Sequence, residues 1–325
     1  MKGHVPRSVN GLAIALLAGF FWGGGNAVAS YATKRVPEIT TAGALEIAIC
    51  NYIGGAILLA AYALTRRSRP REFLQCLTPT IFAASAFKTL NALTFVIALF
   101  FVTATFASTI ENSHVLITAT LAVIAGATLP ARRLAGAALT MGGILALSWG
   151  QLTGAGSERF LMGAALALAA ALSYAMFLVF WGHASKQVAK PEAPASSIQT
   201  VVMIVLVLVA LLTARAVLWL VDPTPIWIWV RIDVAALLIF AGMFSIGLTY
   251  FLVNLAFARS SDEVLPAAAV VSAGVAVSVL MTFVMEALFV QRGWNSTNAI
   301  SVLLFAFGYF LLSRSDHTQK ATERG

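Results

Sequence analysis

Long apolar runs, broken only by short polar islands, constrain this chain more than any other feature. The runs are roughly 17–25 residues long, the length that a helix needs to cross the hydrocarbon core of a bilayer. They cover residues 11–32, 42–64, 74–98, 103–126, 132–150, 160–181, 198–219, 234–257, 264–288 and 296–313. The breaks carry turn residues and charges, as in "TRRSRPRE" and "TGAGSER". We therefore predict an all-α membrane protein with ten transmembrane helices.

The break at "LFFVT", residues 99–103, is the one without a charge. We predict a tight turn there because residues 74–126 are too many for one span. An alternative for the first apolar run is a cleaved signal peptide, since "MKGHVPRSVN" precedes "GLAIALLAGFF" and a small-residue "AVA" follows. The charged "TKRVPE" directly behind it favours a retained helix instead.

Composition supports the membrane assignment, because the chain is 60% hydrophobic and only 10% charged, whereas soluble domains are about half apolar and a quarter charged. The net charge of +8 is scattered over short loops, which indicates topology signals and no nucleic-acid partner. The two cysteines lie in no CxxC or zinc spacing, so we expect no disulfide, metal or other cofactor. P-loop, HExxH and GxSxG motifs are missing from the sequence, and we expect no enzyme activity.

Lys and Arg counts predict the orientation. If the N-terminus is cytoplasmic, the inner segments carry 14 of the 21 basic residues, the outer segments carry 6, and Lys88 lies inside a span. This asymmetry favours both termini in the cytoplasm of a bacterial inner membrane. The interfacial tryptophans predicted on the outer side are Trp149, Trp219, Trp227, Trp229 and Trp294.

Five predicted spans stand on each side of "TGAGSERF", which divides the chain into residues 1–153 and 154–325. An odd number of spans forces the second half into the opposite orientation, so we predict two inverted five-helix repeats. Folds of this kind bind their substrate near the membrane midplane, between the repeats.

Several motifs resemble those of the drug/metabolite transporter superfamily, in its ten-helix EamA-like branch. The stretch "FFWGGGNAVASYATK" is similar to that family's W-G-x-N-F signature through Trp22, Gly23 and Asn26. "ALFFVTATFAS" resembles its Ala-Leu-x-x-Thr-x-Ala run, and Glu286 in "VMEALFVQRGW" lies where the family has a Gly-Glu pair. The chain departs from the family at Glu46, where an arginine is common, and in "GATLPARR", where a glutamate is usual. The resemblance implies a transporter, with export favoured over uptake.

Charged side chains inside the predicted spans are the strongest functional signal, because each costs at least about 2.5–3.5 kcal/mol at the bilayer centre. Three spans of the first half carry one each, at Glu46, Lys88 and Glu111. Helical spacing predicts one polar face at Ser85, Lys88, Asn91 and Phe95, and another at Ser108, Glu111, His114 or Val115, and Thr118. We expect Lys88 to neutralise one acid, most simply Glu111, and both faces to meet in a shared wet pocket. The alternative is a buried ion pair that only locks these helices together.

The predicted substrate-binding residues are Trp22, Asn26, Lys88, Asn91, Glu111, Tyr250 and Asn254. Glu111, His114 and Glu46 are predicted to couple transport to protons, since imidazole changes charge near neutral pH. A structural core histidine is the alternative for His114. The stripe of Tyr174, Phe177 and Trp181 is typical of lipid-facing or core packing, and Gly19-x-x-x-Gly23 would let another helix approach closely. Glu286 is expected near the outer end of its span.

These features predict a secondary transporter that exports a small polar metabolite, such as an amino acid or related organic acid, by alternating access. Its partners would be that small-molecule substrate, protons and the lipid bilayer. Efflux of organic cations is one alternative, favoured by the aromatic stripes and disfavoured by the buried lysine. A membrane enzyme or scaffold that transports nothing is an alternative of another class.

Overall fold

The computed structural model describes residues 7–36, 40–65, 70–124, 130–152, 157–188, 195–221, 223, 231–253, 267–290 and 296–313, and the regular structure there is helical. The helices of the described residues are α1 (Arg7–Thr33), α2 (Thr41–Thr65), α3 (Pro70–Gln75), α4 (Pro79–Ala98), α5 (Ala104–Glu111), α6 (His114–Ile124), α7 (Ala131–Leu152), α8 (Ser157–Val188), α9 (Ala195–Val221), α10 (Ile232–Gly242), α11 (Ala267–Met285) and α12 (Ser296–Ser313). Two of them continue into π-helical turns, α10 into Met243–Leu248 and α11 into Glu286–Val290.

Six helical segments of the described chain are long and apolar enough to cross a membrane: Ala13–Thr33, Thr41–Thr65, Pro79–Ala98, Glu158–Trp181, Ile198–Val221 and Ile232–Val253. Gly274–Phe289 and Ser296–Leu312 are shorter apolar helices. Length and composition therefore support an integral, multi-pass membrane protein. The turn predicted at residues 99–103 is confirmed, because α4 ends at Ala98 and α5 begins at Ala104.

One predicted span is interrupted. The run 103–126 was expected to form a single span, but α5 ends at Glu111 and α6 begins at His114. The side chains of the two residues between them donate hydrogen bonds to backbone carbonyls of α5. Asn112 Nδ2 donates to Ser108 O at 2.8 Å, and Ser113 Oγ donates to Ile110 O at 2.6 Å. Short polar side chains that bond to nearby backbone favour turns over helix, and hydropathy alone does not register this.

Glycines allow several helices to pack with their backbones close together. A Cβ atom at Gly19 would collide with the carbonyl of Gly274, and one at Gly23 would collide with the carbonyl of Ser278. The close approach predicted from Gly19-x-x-x-Gly23 is thus confirmed, and the partner is α11. Small residues serve this purpose in membrane helices because lipid provides no hydrophobic drive for association.

The main helix packing joins the first half of the chain to the second. Helix α1 packs on α11, α4 on α8, α7 on α12, and α2 on α9, α10 and the following π-helical turn. The buried apolar core includes Ile47, Phe95, Phe106, Phe177 and Phe305 and so draws on both halves. Polar residues on α1, α2, α4 and α5 are buried against the second half in this arrangement.

Candidate substrate-binding site

A small polar cavity lies between the helices at the centre of the protein. Its walls come from α1, α2, α4, α5 and the π-helical turn after α10, and its polar lining residues are Asn26, Asn51, Tyr52, Lys88, Asn91, Glu111 and Ser245. The space open to the centres of water-sized molecules is about 60 Å³. Such a volume holds a few waters but is well below the roughly 300–1,000 Å³ of a ligand pocket.

Lys88 and Glu111 are linked through Asn91. Lys88 Nζ donates to Asn91 Oδ1 at 2.6 Å, and Asn91 Nδ2 donates to Glu111 Oε1 at 2.8 Å. The second Asn91 N–H reaches the Ala170 carbonyl of α8 at 3.0 Å. The direct pairing predicted for the two charges is therefore replaced by an amide bridge, because Asn91 lies one helical turn beyond Lys88 and shares its face.

Three aromatic rings of the second half surround the Lys88 ammonium. Its nitrogen lies 4.8 Å from the ring centroid of Tyr174, 5.7 Å from that of Phe177 and 5.8 Å from that of Tyr250. Tyr174 and Phe177 are buried on α8. Packing between helices was one role predicted for this stripe, but its contact with a buried cation was not predicted.

Several buried polar atoms at the cavity have no hydrogen-bond partner among the described residues. They include Glu111 Oε2, Asn51 Oδ1 and Tyr52 Oη, and all three residues line the cavity. Buried polar groups are normally satisfied by protein or water, so this cluster is suited to a polar solute or to water. Asn51 and Tyr52 were missed by sequence reasoning, although a lone Asn-Tyr pair within the apolar run of α2 was a signal.

Trp22 and Asn26 lie on the cavity wall formed by α1. Asn26 Nδ2 donates to Ser108 Oγ of α5 at 2.9 Å. The Trp22 ring lies 5.7 Å from that of Tyr174. Among the predicted site residues, Trp22, Asn26, Lys88, Asn91 and Glu111 line the cavity, and Tyr250 borders it through its contact with Lys88. Asn254 and the side chain of Thr118 lie outside the described residues.

His114 approaches the backbone of Glu111 and not its carboxylate. It begins α6 and is buried, with Nδ1 lying 3.3 Å from the Glu111 carbonyl oxygen. Its ring lies 4.8 Å from that of Tyr174 and 6.4 Å from that of Tyr309. The break between α5 and α6 thus separates two groups that were predicted to share one helical face.

Glu46 lies apart from the central cavity and pairs with Arg215. Arg215 Nε and Nη2 donate to Glu46 Oε1 at 3.0 and 2.9 Å, and both side chains are buried. The pair borders an otherwise apolar groove between α2, α9 and α10. Arg215 is one of the six basic residues that the Lys and Arg count assigns to outer segments, but it lies within α9. Its position inside the run "LLTARAVLWLV" was the missed signal.

Glu286 holds the start of α5 across the interface between the halves. Its Oε1 accepts the backbone N–H of Ala104 and its Oε2 that of Thr105, both at 2.8 Å. Thr105 Oγ1 donates at 2.8 Å, and Ser30 Oγ donates at 3.2 Å. Glu286 is thus a buried cap, since only 1% of it is exposed. Its position near the outer end of the span stays a prediction.

The described residues contain no cluster of three or more His, Cys, Asp or Glu side chains arranged for a metal ion.

Residues 9–149 match the family model described as the EamA-like transporter family. The first half of the chain is therefore similar to that family. The comparison with curated proteins gave no match.

Solved structures share the fold of this chain. Twenty-three chains match it. One, described only as the crystal structure of a protein, aligns with a TM-score of 0.58 and 17% sequence identity over 93% of this chain and 95% of its own. At that identity the likeness concerns the fold alone.

Proposed function

We propose that this EamA-like protein is a secondary active transporter that exports a small polar metabolite, an amino acid or a related organic acid, by alternating access. The observation that carries the proposal is the central cavity, which is lined by Lys88, Asn91 and Glu111 of the first half. Beside it, the Lys88 ammonium meets the Tyr174 ring of the second half. An ammonium suits a substrate carboxylate, and the Glu111 oxygen without a partner suits a substrate amine.

The size of the cavity supports alternating access. With about 60 Å³ of space it holds waters but no solute of amino-acid size. The arrangement therefore represents a closed form, and loading requires the two halves to move apart. Substrate sites at the interface of two repeats open in this way when one repeat rocks against the other.

The packing of helices supports ten spans in two inverted repeats divided near residue 153. If α1 corresponds to α8 and α4 to α10, the contact of α1 with α10 has its counterpart in that of α4 with α8. If α5–α6 corresponds to α11, the contact of α1 with α11 matches that of α8 with α5 and α6. Exchange of the halves therefore reproduces the pattern. The basic residues assigned to the inner loops support cytoplasmic termini and a bacterial inner membrane.

We assign proton coupling to Glu111, with His114 close to its backbone. Glu46 is the weaker candidate because its carboxylate is already engaged by Arg215. Glu111→Gln is expected to abolish flux driven by a pH gradient in proteoliposomes while leaving substrate binding largely intact. Glu158→Gln, which changes an exposed acid on α8, is the matched control and is expected to behave as wild type. Unchanged coupling in Glu111→Gln would refute this role.

Efflux of organic cations is the second candidate, favoured by the aromatic rings around Lys88. It predicts that Lys88→Ala is tolerated and that quaternary amines compete for transport. Reconstituted protein tested with amino acids, organic acids and quaternary amines separates the two functions. A membrane enzyme or scaffold would give no saturable flux with any member of the panel.

A further inference from the structure

The three rings around Lys88 have the geometry of a cation-binding site. Tyr174, Phe177 and Tyr250 each place a ring centroid within 6 Å of the ammonium nitrogen, the range in which a cation is attracted by a ring face. All three rings belong to the second half of the chain, whereas Lys88 belongs to α4 of the first. The cation is therefore delivered to the rings from across the central interface.

The rings form a continuous wall. The centroid of Phe177 lies 5.5 Å from that of Tyr174 and 6.4 Å from that of Tyr250. One oxygen, Asn91 Oδ1, accepts a hydrogen bond from the ammonium, and Asn91 is fixed in turn by Glu111 and Ala170. Aromatic faces together with one fixed oxygen are the elements that recognise an alkylammonium head group.

We propose that Tyr174, Phe177, Tyr250 and Asn91 Oδ1 form a binding site for a small primary ammonium ion, and that Lys88 fills this site as a tethered occupant. Four carbons join the lysine nitrogen to its backbone. Removing all but the first leaves a space with the shape of n-propylammonium, which is the probe that the site would accept in place of the lost side chain.

A specificity rule follows, and it rests on the proposed function. Because the chain's own cation occupies the rings, a cationic head group of the solute finds no place there, while the ammonium remains available to a carboxylate. Lys88 therefore selects for solutes with a carboxylate and against organic cations. Without Lys88 the same rings would accept the cations that the wild-type protein rejects.

The test measures ligand binding through the thermal unfolding of purified Lys88→Ala in detergent. A ligand that binds the folded state raises its apparent stability. We expect n-propylammonium to stabilise this variant saturably and to bind about tenfold more tightly than n-propanol, which has a similar shape but no charge. Wild type and Lys88→Met, in which the space stays filled, are expected to show no such shift.

Three results would overturn the proposal. The first is that n-propylammonium does not stabilise Lys88→Ala. The second is that n-propanol stabilises this variant equally, which would indicate simple filling of a void. The third is that n-propylammonium stabilises wild type equally, which would place the ion elsewhere. If Lys88→Ala does not fold alone, the double variant Lys88→Ala/Glu111→Gln, which also removes the unbalanced acid, is tested with the same probes and criteria.

The test of the ammonium site is separate from that of transport. Binding of n-propylammonium by Lys88→Ala involves no flux, so a negative result removes the ammonium site and leaves the transporter proposal intact. Conversely, wild-type proteoliposomes that move none of the candidate solutes would remove the proposed function but not the site.

Discussion

Glu286→Gln is expected to destabilise the protein strongly, although it changes only one oxygen to an amide nitrogen. The carboxylate receives four hydrogen bonds: the N–H groups of Ala104 and Thr105, the Thr105 hydroxyl and the Ser30 hydroxyl. Thr103 caps the next N–H of α5 by accepting from Phe106 N at 3.2 Å. The first N–H groups of a helix find no acceptor within the helix itself. Glu286 therefore supplies the acceptors that the first N–H groups of α5 lack.

The magnitude follows from these contacts. Each carboxylate oxygen of Glu286 accepts two hydrogen bonds. Glutamine keeps one acceptor oxygen, but its NH₂ group is itself a donor and faces two donors, so two hydrogen bonds to a charged group are lost. Each is worth about 1.5–3 kcal/mol, and the partial positive charge of the helix start loses its counter-charge. We expect a loss of about 3 kcal/mol in the free energy of unfolding. Glu286→Ala, which removes all four bonds, is expected to cost more.

Thermal unfolding in detergent, followed by intrinsic fluorescence, measures the effect. Glu158→Gln makes the same chemical change at an exposed position and is expected to shift stability by less than about 0.5 kcal/mol. Thr105→Val combined with Glu286→Gln should cost less than the sum of the separate changes, because both act on the same contact. Equal unfolding temperatures for Glu286→Gln and Glu158→Gln would refute the assigned role of the buried carboxylate.

Three further predictions follow from the packing. Gly19→Ala is expected to cost about 2 kcal/mol through its collision with α11, whereas Gly24→Ala, where nothing lies within 4 Å of the added Cβ, should be neutral or stabilising by up to about 1 kcal/mol in the same unfolding assay. Arg215→Met should cost about 3–5 kcal/mol, because it removes the cation that is bonded to the buried Glu46 carboxylate. The double variant with Glu46→Gln should cost markedly less, and a strictly additive pair would contradict this. Burial raises the pKa of the Cys76 thiol. In a variant whose other cysteine, Cys50, is replaced, the folded protein at pH 8 should therefore be alkylated far more slowly than the denatured protein at the same pH. Equal rates would contradict the burial of Cys76.

The helical framework could be predicted from the sequence because one physical quantity controls it. The bilayer core sets the length of each apolar run, and charged breaks mark its ends. This rule predicted α2 at 42–64, where the structure has Thr41–Thr65, and α12 at 296–313, where the structure has Ser296–Ser313. The break at Asn112 and Ser113 was missed because it depends on side-chain bonds to the backbone. The π-helical turns likewise leave no mark in hydropathy.

Site residues on one helix were easier to predict than partners on distant helices. The spacing of Lys88 and Asn91 on α4 correctly placed both on one buried face. Arg215 is 169 residues from Glu46, and nothing local to either residue specifies the pair. Tyr174 and Phe177 were recognised as a stripe, but their contact with a cation requires the register of α4 against α8.

The hydrogen bonds that cross between the halves bear on how this protein is made. When the first half has entered the membrane, Glu46 still lacks Arg215, and the start of α5 still lacks Glu286, since both partners are synthesised later. A fragment ending near residue 153 should therefore be degraded in cells when expressed alone. Co-expression with the second half should protect the fragment. Correct assembly therefore depends on the segments made last, because they supply the hydrogen-bond partners of buried polar groups in the first half.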